Sequence, residues 1–132
     1  MMRRLFYVVI AGMMLSGGAA YAHHSFQATY DTEKKIEIKG TLVSFDFRNP
    51  HSFVHVLAPD SDGQMQRWGV EWSTASVLSR QGITRATFKP GDVVIITGAP
   101  GRDPGDHRIR MESIERPSDG LSWGKKPDEV VK

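Results

Sequence analysis

The sequence has no cysteine. That excludes disulfides and a lipid-modified N-terminal cysteine. Stability must come from packing alone. Methionine is scarce where it would matter: of the six, only Met65 and Met111 lie beyond the first 22 residues, which argues against a methionine-rich soft-metal site. Long apolar runs are also lacking. The one continuous stretch, Leu5 to Leu15, is about half the ~20 residues that a spanning helix needs. No Gly-rich phosphate loop, no nucleophile motif and no paired catalytic carboxylates are legible, so an enzyme is not the expected reading.

What is there begins with an export signal. Arg3 and Arg4 form a positive start, Leu5 to Leu15 an apolar run, and Ser16 to Ala22 a small-residue segment ending in Ala20-Tyr21-Ala22. This order fits a secretory signal peptide over 1–22, cleaved before His23, with a cut before Tyr21 as the second option. The expected location is the periplasm or the exterior, with no membrane span after cleavage. Losing Arg3 and Arg4 leaves fifteen basic and fifteen acidic residues, so the basic pI of the whole chain is no argument for a nucleic-acid partner.

Residues 23–35 read as a polar N-terminal arm, 36–115 as one β domain, and 116–132 as a polar tail. Ile36 and Ile38 alternate with Glu37 and Lys39, then the phase slips at Gly40 so that Val43, Phe45 and Phe47 carry the apolar face. A glycine at a phase change predicts a bulge or a sharp bend in one long strand ending at Asn49-Pro50. A second strand is expected from Ser52 to Ala58, with His51, Phe53, His55 and Leu57 on one side and Val54 and Val56 on the other. A third, Met65 to Trp72, puts Trp68, Val70 and Trp72 on one face and Arg67, Gly69 and Glu71 on the opposite one. Ser73 as N-cap and Gly82 as stop bracket one short helix. Strands over Val93–Thr97 and His107–Ile114 follow, separated by a loop from Gly98 to Asp106. The order predicts an all-β fold: a small five-stranded OB-like Greek-key barrel with one short helix between strands three and four, in preference to an SH3-like barrel or a sandwich.

His23-His24-Ser25-Phe26, Gly40-Thr41-Leu42-Val43, Asn49-Pro50-His51-Ser52, Lys89-Pro90-Gly91-Asp92 and Thr97 to Asp103 occur together. In this combination the chain resembles a widespread bacterial family of small exported proteins of unknown function, over most of residues 22–114. Phe53 stands where tryptophan is expected, and the loop at Asp103-Pro104-Gly105 is longer. The resemblance implies an OB-like fold and no particular activity.

All five histidines lie after the signal. If His23 is the first mature residue, its α-amine and ring nitrogen form a bidentate pair suited to Cu(II), with His24 adjacent. His51 and His55 share a strand face about 13 Å apart, too far for one ion to bridge directly. His51 and His107 border the two loops that meet at one end of an OB barrel, a second pairing. The candidate metal residues are therefore His23, His24, His51 and His55, a single ion taking the N-terminal pair plus one of His51 and His55, with copper ahead of zinc. Each histidine also has a purely structural reading: His55 as a strand residue between valines, His51 as part of a turn. The competing expectation is a metal-free module whose ligand-binding residues are Phe47, Asn49, Trp72 and Arg102, taking a small ligand, a glycan or an envelope protein.

Overall fold

The computed structural model describes residues 26–124. A helical turn over 26–29 leads to strands β1 (Ile36–Asp46), β2 (Phe53–Pro59) and β3 (Met65–Glu71), then helix α1 (Ala75–Arg80). Strand β4 (Val93–Pro100), a single 3-10 turn (Pro104–Asp106), β5 (Arg108–Arg116) and β6 (Leu121–Trp123) complete it. The strands lie in one sheet in the order β3-β2-β1-β4-β5-β6, and β3 also pairs with β5. That extra parallel pairing, Gly69–Glu71 against Arg108–Arg110, closes five strands into the expected OB-like barrel. The helix lies between strands three and four.

Alternation decides the inside. Val54, Val56 and Ala58 of β2, Trp68 and Val70 of β3, Val94 and Ile96 of β4, and Ile109 and Met111 of β5 are all buried. Their sequence neighbours point outward, as two-residue periodicity requires. Leu78, Ile83 and Phe88, from α1 and the segment after it, join the same core.

Four local expectations are corrected. The bulge in β1 falls between Leu42 and Ser44, not at Gly40. Gly40 stays in register with Val94. A side chain there would sit 2.1 Å from the Leu57 carbonyl oxygen, so the glycine serves close strand approach. The helix cap is Thr74, one residue after Ser73: its Oγ1 accepts from the Val77 N–H at 3.1 Å. Strand β4 runs on through a second bulge at Thr97/Gly98 to Pro100, where a loop was expected. The expected polar tail from 116 contains β6, which pairs Ile114 with Trp123 and Arg116 with Leu121. Trp123 lies against Trp72, with ring centroids 5.1 Å apart, and its Nε1 donates to Gln81. Two apolar side chains in three residues suffice to hold this strand on the core.

Candidate functional site

A polar cluster forms on the outer face of the barrel where the N-terminal segment crosses β3 and β5. Glu71 is the outward-facing residue at the end of β3. Its carboxylate accepts from two donors: the Tyr30 hydroxyl at 2.5 Å and His51 Nδ1 at 2.7 Å. Tyr30 is brought there by an isolated bridge to Gly101 and is 1% exposed. His51 follows the cis Asn49–Pro50 bond in the β1–β2 loop. Next to it, Ser52 exchanges backbone hydrogen bonds with Ser73 and Trp72, which pins the loop to the end of β3. Phe26 covers the cluster. Its ring is 5.3 Å from the His51 ring on one side, and the Arg110 guanidinium carbon is 3.7 Å from its centroid.

Burial, together with the Glu71 hydrogen bond and charge, pushes the Tyr30 hydroxyl far above the usual tyrosine range; Arg108 and Arg110 only partly oppose this. Tyr30 is therefore a neutral donor across the physiological range. With Nδ1 tied to a carboxylate, the His51 ring is fixed in orientation and its Nε2 is the nitrogen left for an outside partner. A carboxylate behind an imidazole is how ligating histidines are commonly oriented.

The other histidines do not join this cluster. His55 stacks on Phe53 at 6.4 Å and places Nε2 3.4 Å from Asp46 Oδ2. His107 meets the edge of Trp68 at 5.2 Å and lies 3.8 Å from Asp60 Oδ2. His107 is also the one non-glycine residue with positive φ among the described residues, at 45°. The pairing of His51 with His107 is thus replaced by separate carboxylate partners, Glu71 and Asp60. Among the described residues no three of His, Asp and Glu converge as a metal-binding group. His23 and His24, like the whole of 1–22, lie outside the described residues.

The expected ligand-binding set is dispersed. Trp72 belongs to the core: 3% exposed, it packs on Phe45, Phe88 and Trp123, because it shares the inward face with Trp68 and Val70. Asn49 is a helix fastener, its Oδ1 accepting from the Ser76 N–H and its Nδ2 donating to Ser76 Oγ. Phe47 is half-buried beside Phe45 with Arg85 over its ring. Arg102 holds the N-terminal segment, its Nε donating to the Gln27 carbonyl at 2.6 Å. It also lines a cleft of about 920 Å³ at the barrel end bounded by Trp68, Asp60, His107 and Pro100. Residue types alone pointed to neither Tyr30 nor Phe26. The signal that would have found them is the lone tyrosine of an otherwise polar arm, in a segment that must cross the barrel to reach β1.

A family model matches residues 11–110. The chain belongs to that family, a family of unknown function (DUF6152). No curated protein matches. A solved structure, the ZRD-deleted mutant of TiaS in complex with agmatine, is similar at 13% identity with a TM-score of 0.42, over 77% of this chain and 25% of that one. The family match agrees with the resemblance carried by the sequence motifs and assigns no chemistry, so function rests on the cluster itself.

Proposed function

We propose that this member of the family is an exported protein of the cell envelope that binds a copper ion through its N-terminal histidines and His51. The observation that carries the reading is the Glu71 carboxylate behind His51 Nδ1 at 2.7 Å, which leaves Nε2 as the ligating nitrogen. Phe26 supports it by connectivity. Its ring touches His51, and His24 and His23 precede it by two and three residues. At about 3.8 Å per residue, their α-carbons are within roughly 8 and 11 Å of that of Phe26. The α-amine and imidazole of a terminal His23, with His51 Nε2, make a nitrogen-rich set suited to Cu(II). The described residues alone offer no such set. The reading therefore depends on cleavage before His23.

Titration of protein beginning at His23 with Cu(II), followed by calorimetry and electron paramagnetic resonance, tests it. One equivalent is expected to bind with a nitrogen-rich signal. His51→Ala and an added methionine before His23 should each weaken binding at least about tenfold, as loss of a ligand does. Binding indifferent to both changes, or no stoichiometric binding, overturns it.

A further inference from the structure

Strand β3 carries a glycine at its centre that the protein's own packing does not require. Gly40 and Gly98 each face a carbonyl oxygen about 2 Å from where a side chain would begin, and Gly63, Gly82, Gly91 and Gly120 have positive φ. Gly69 has neither reason. A side chain there would meet only His55 Cε1, at 4.0 Å. β3 is paired on both sides at this point, to His55 of β2 and Arg108 of β5. Glycine weakens such a strand, and where it persists it commonly marks close approach of a ligand to the backbone.

Register defines what surrounds the gap. On the outer face, His55, Gly69 and Arg108 form one row across three strands, Phe53, Glu71 and Arg110 the next, and Leu57 with Arg67 the row on the other side. Neighbouring strands are about 4.8 Å apart, so His55 and Arg108 flank an open floor about 10 Å wide. The charges are uneven. The carboxylates near this face are engaged: Glu71 by Tyr30 and His51, Asp46 by His55, Glu112 by Lys35. The arginines Arg48, Arg67, Arg108 and Arg110 have no carboxylate in ion-pair range among the described residues. Arg48 and Arg110 lie instead over the rings of Phe53 and Phe26.

We propose that the floor over Gly69 is a binding groove for an acidic polysaccharide, one sugar ring resting on the bare backbone and its neighbouring carboxylates paired with Arg67 and Arg108. Guanidinium groups without partners suit carboxylates presented along a chain. Nucleic acid fits less well, because base stacking needs open aromatic faces. Here Phe53 is occupied by Arg48 and His55, and Phe26 by Arg110 and His51. The groove is independent of the copper reading.

The test is calorimetric titration of protein beginning at His23 with oligogalacturonate, beside a single-stranded DNA oligomer. Gly69→Val is expected to keep or raise the thermal midpoint, since a β-branched residue suits a strand with room for it, while weakening oligogalacturonate at least about tenfold by filling the floor. The double variant Arg67→Ala/Arg108→Ala should weaken it similarly and flatten its salt dependence; it carries the same decision if Gly69→Val does not fold. An added methionine before His23 should leave oligogalacturonate binding unchanged, which separates this proposal from the metal site. Wild-type failure to bind, full binding by Gly69→Val or by the double variant, or tighter binding of DNA overturns it.

Discussion

At the scale of single residues, two buried polar groups make opposite demands. Tyr30 has its partner. Its hydroxyl stays protonated in the folded chain, held by burial and by Glu71. An unfolded tyrosine ionises near pH 10. Above that pH the unfolded chain therefore holds fewer protons than the folded one, and stability falls as pH rises. The contribution is complete below about pH 10 and is lost as pH climbs toward the raised folded value. Urea midpoints measured from pH 8 to 11 should decline on the alkaline side in the wild type and much less in Tyr30→Phe. That variant should also be less stable at neutral pH by roughly 1–2 kcal/mol, for the lost hydrogen bond to a carboxylate. Trp72 is the reverse case. Its Nε1 is buried with no hydrogen-bond partner among the described residues. Trp72→Phe removes that stranded donor and keeps a ring against Phe45 and Phe88. It is expected to change stability by less than about 1.5 kcal/mol, whereas Trp72→Ala should cost about 3–5 kcal/mol. Chemical denaturation of the two variants side by side makes the comparison.

Among the elements, legibility followed the strength of alternation. β2 and β3 were readable because Val54, Val56, Ala58 and Trp68, Val70 leave no doubt which side faces the core. Sequence pattern alone ends β4 at Thr97, because Gly98 and Pro100 resemble a turn. In the fold Gly98 sits at a bulge in the ladder, where a side chain would begin 2.0 Å from the Arg110 carbonyl oxygen. β6 was invisible: three residues carry no periodicity, and only tertiary contact makes them a strand. The same element gives a prediction. Trp123 covers Trp72 and is fastened by Gln81. Trp123→Ala should destabilise by about 1–3 kcal/mol in a thermal or urea melt, a large effect for a position outside the five-stranded barrel. Arg116 supports the same corner, donating to the Thr87 carbonyl, to Asp92 and to Asp119. Burial alone would raise the Asp92 carboxyl, but the Lys89 N–H and Arg116 hold it below the usual carboxylate range; Arg116 does the same for Asp119. Stability from these carboxylates is present above about pH 4 and lost as pH falls through their lowered values. Arg116→Met should flatten the acid limb of a stability profile taken from pH 6 to 2.5.

In the whole molecule, the barrel and the candidate site depend on different parts of the chain. The barrel was legible because its core residues recur every second position. The site was only half legible. Its histidines could be counted, but which carboxylate each one meets is decided by strand pairing: β2 against β3 sets Phe53 opposite Glu71 and so brings His51 to it, and β1 against β2 brings Asp46 to His55, and neither pairing is written in local sequence. The N-terminal segment joins barrel and site. Tyr30 is locked into the fold by its bridge to Gly101 and its bond to Glu71, and Arg102 fastens the turn before it through Gln27. In the proposed copper site residues 23–25 supply the histidine nitrogens, whereas the buried apolar residues of the barrel run from Tyr30 to Ile114. Shortening the chain stepwise should therefore separate the two properties. Protein beginning at Phe26 is expected to melt within a few degrees of protein beginning at His23, and to have lost tight copper binding. Protein beginning at Asp31 lacks the Tyr30 ring and leaves Glu71 with one donor fewer. It should lose several kcal/mol, as removal of a fully buried aromatic side chain does. Melting curves and copper titrations on the three chains give both readouts. If the Phe26 start already unfolds, residues 23–25 belong to the fold and not to the site alone.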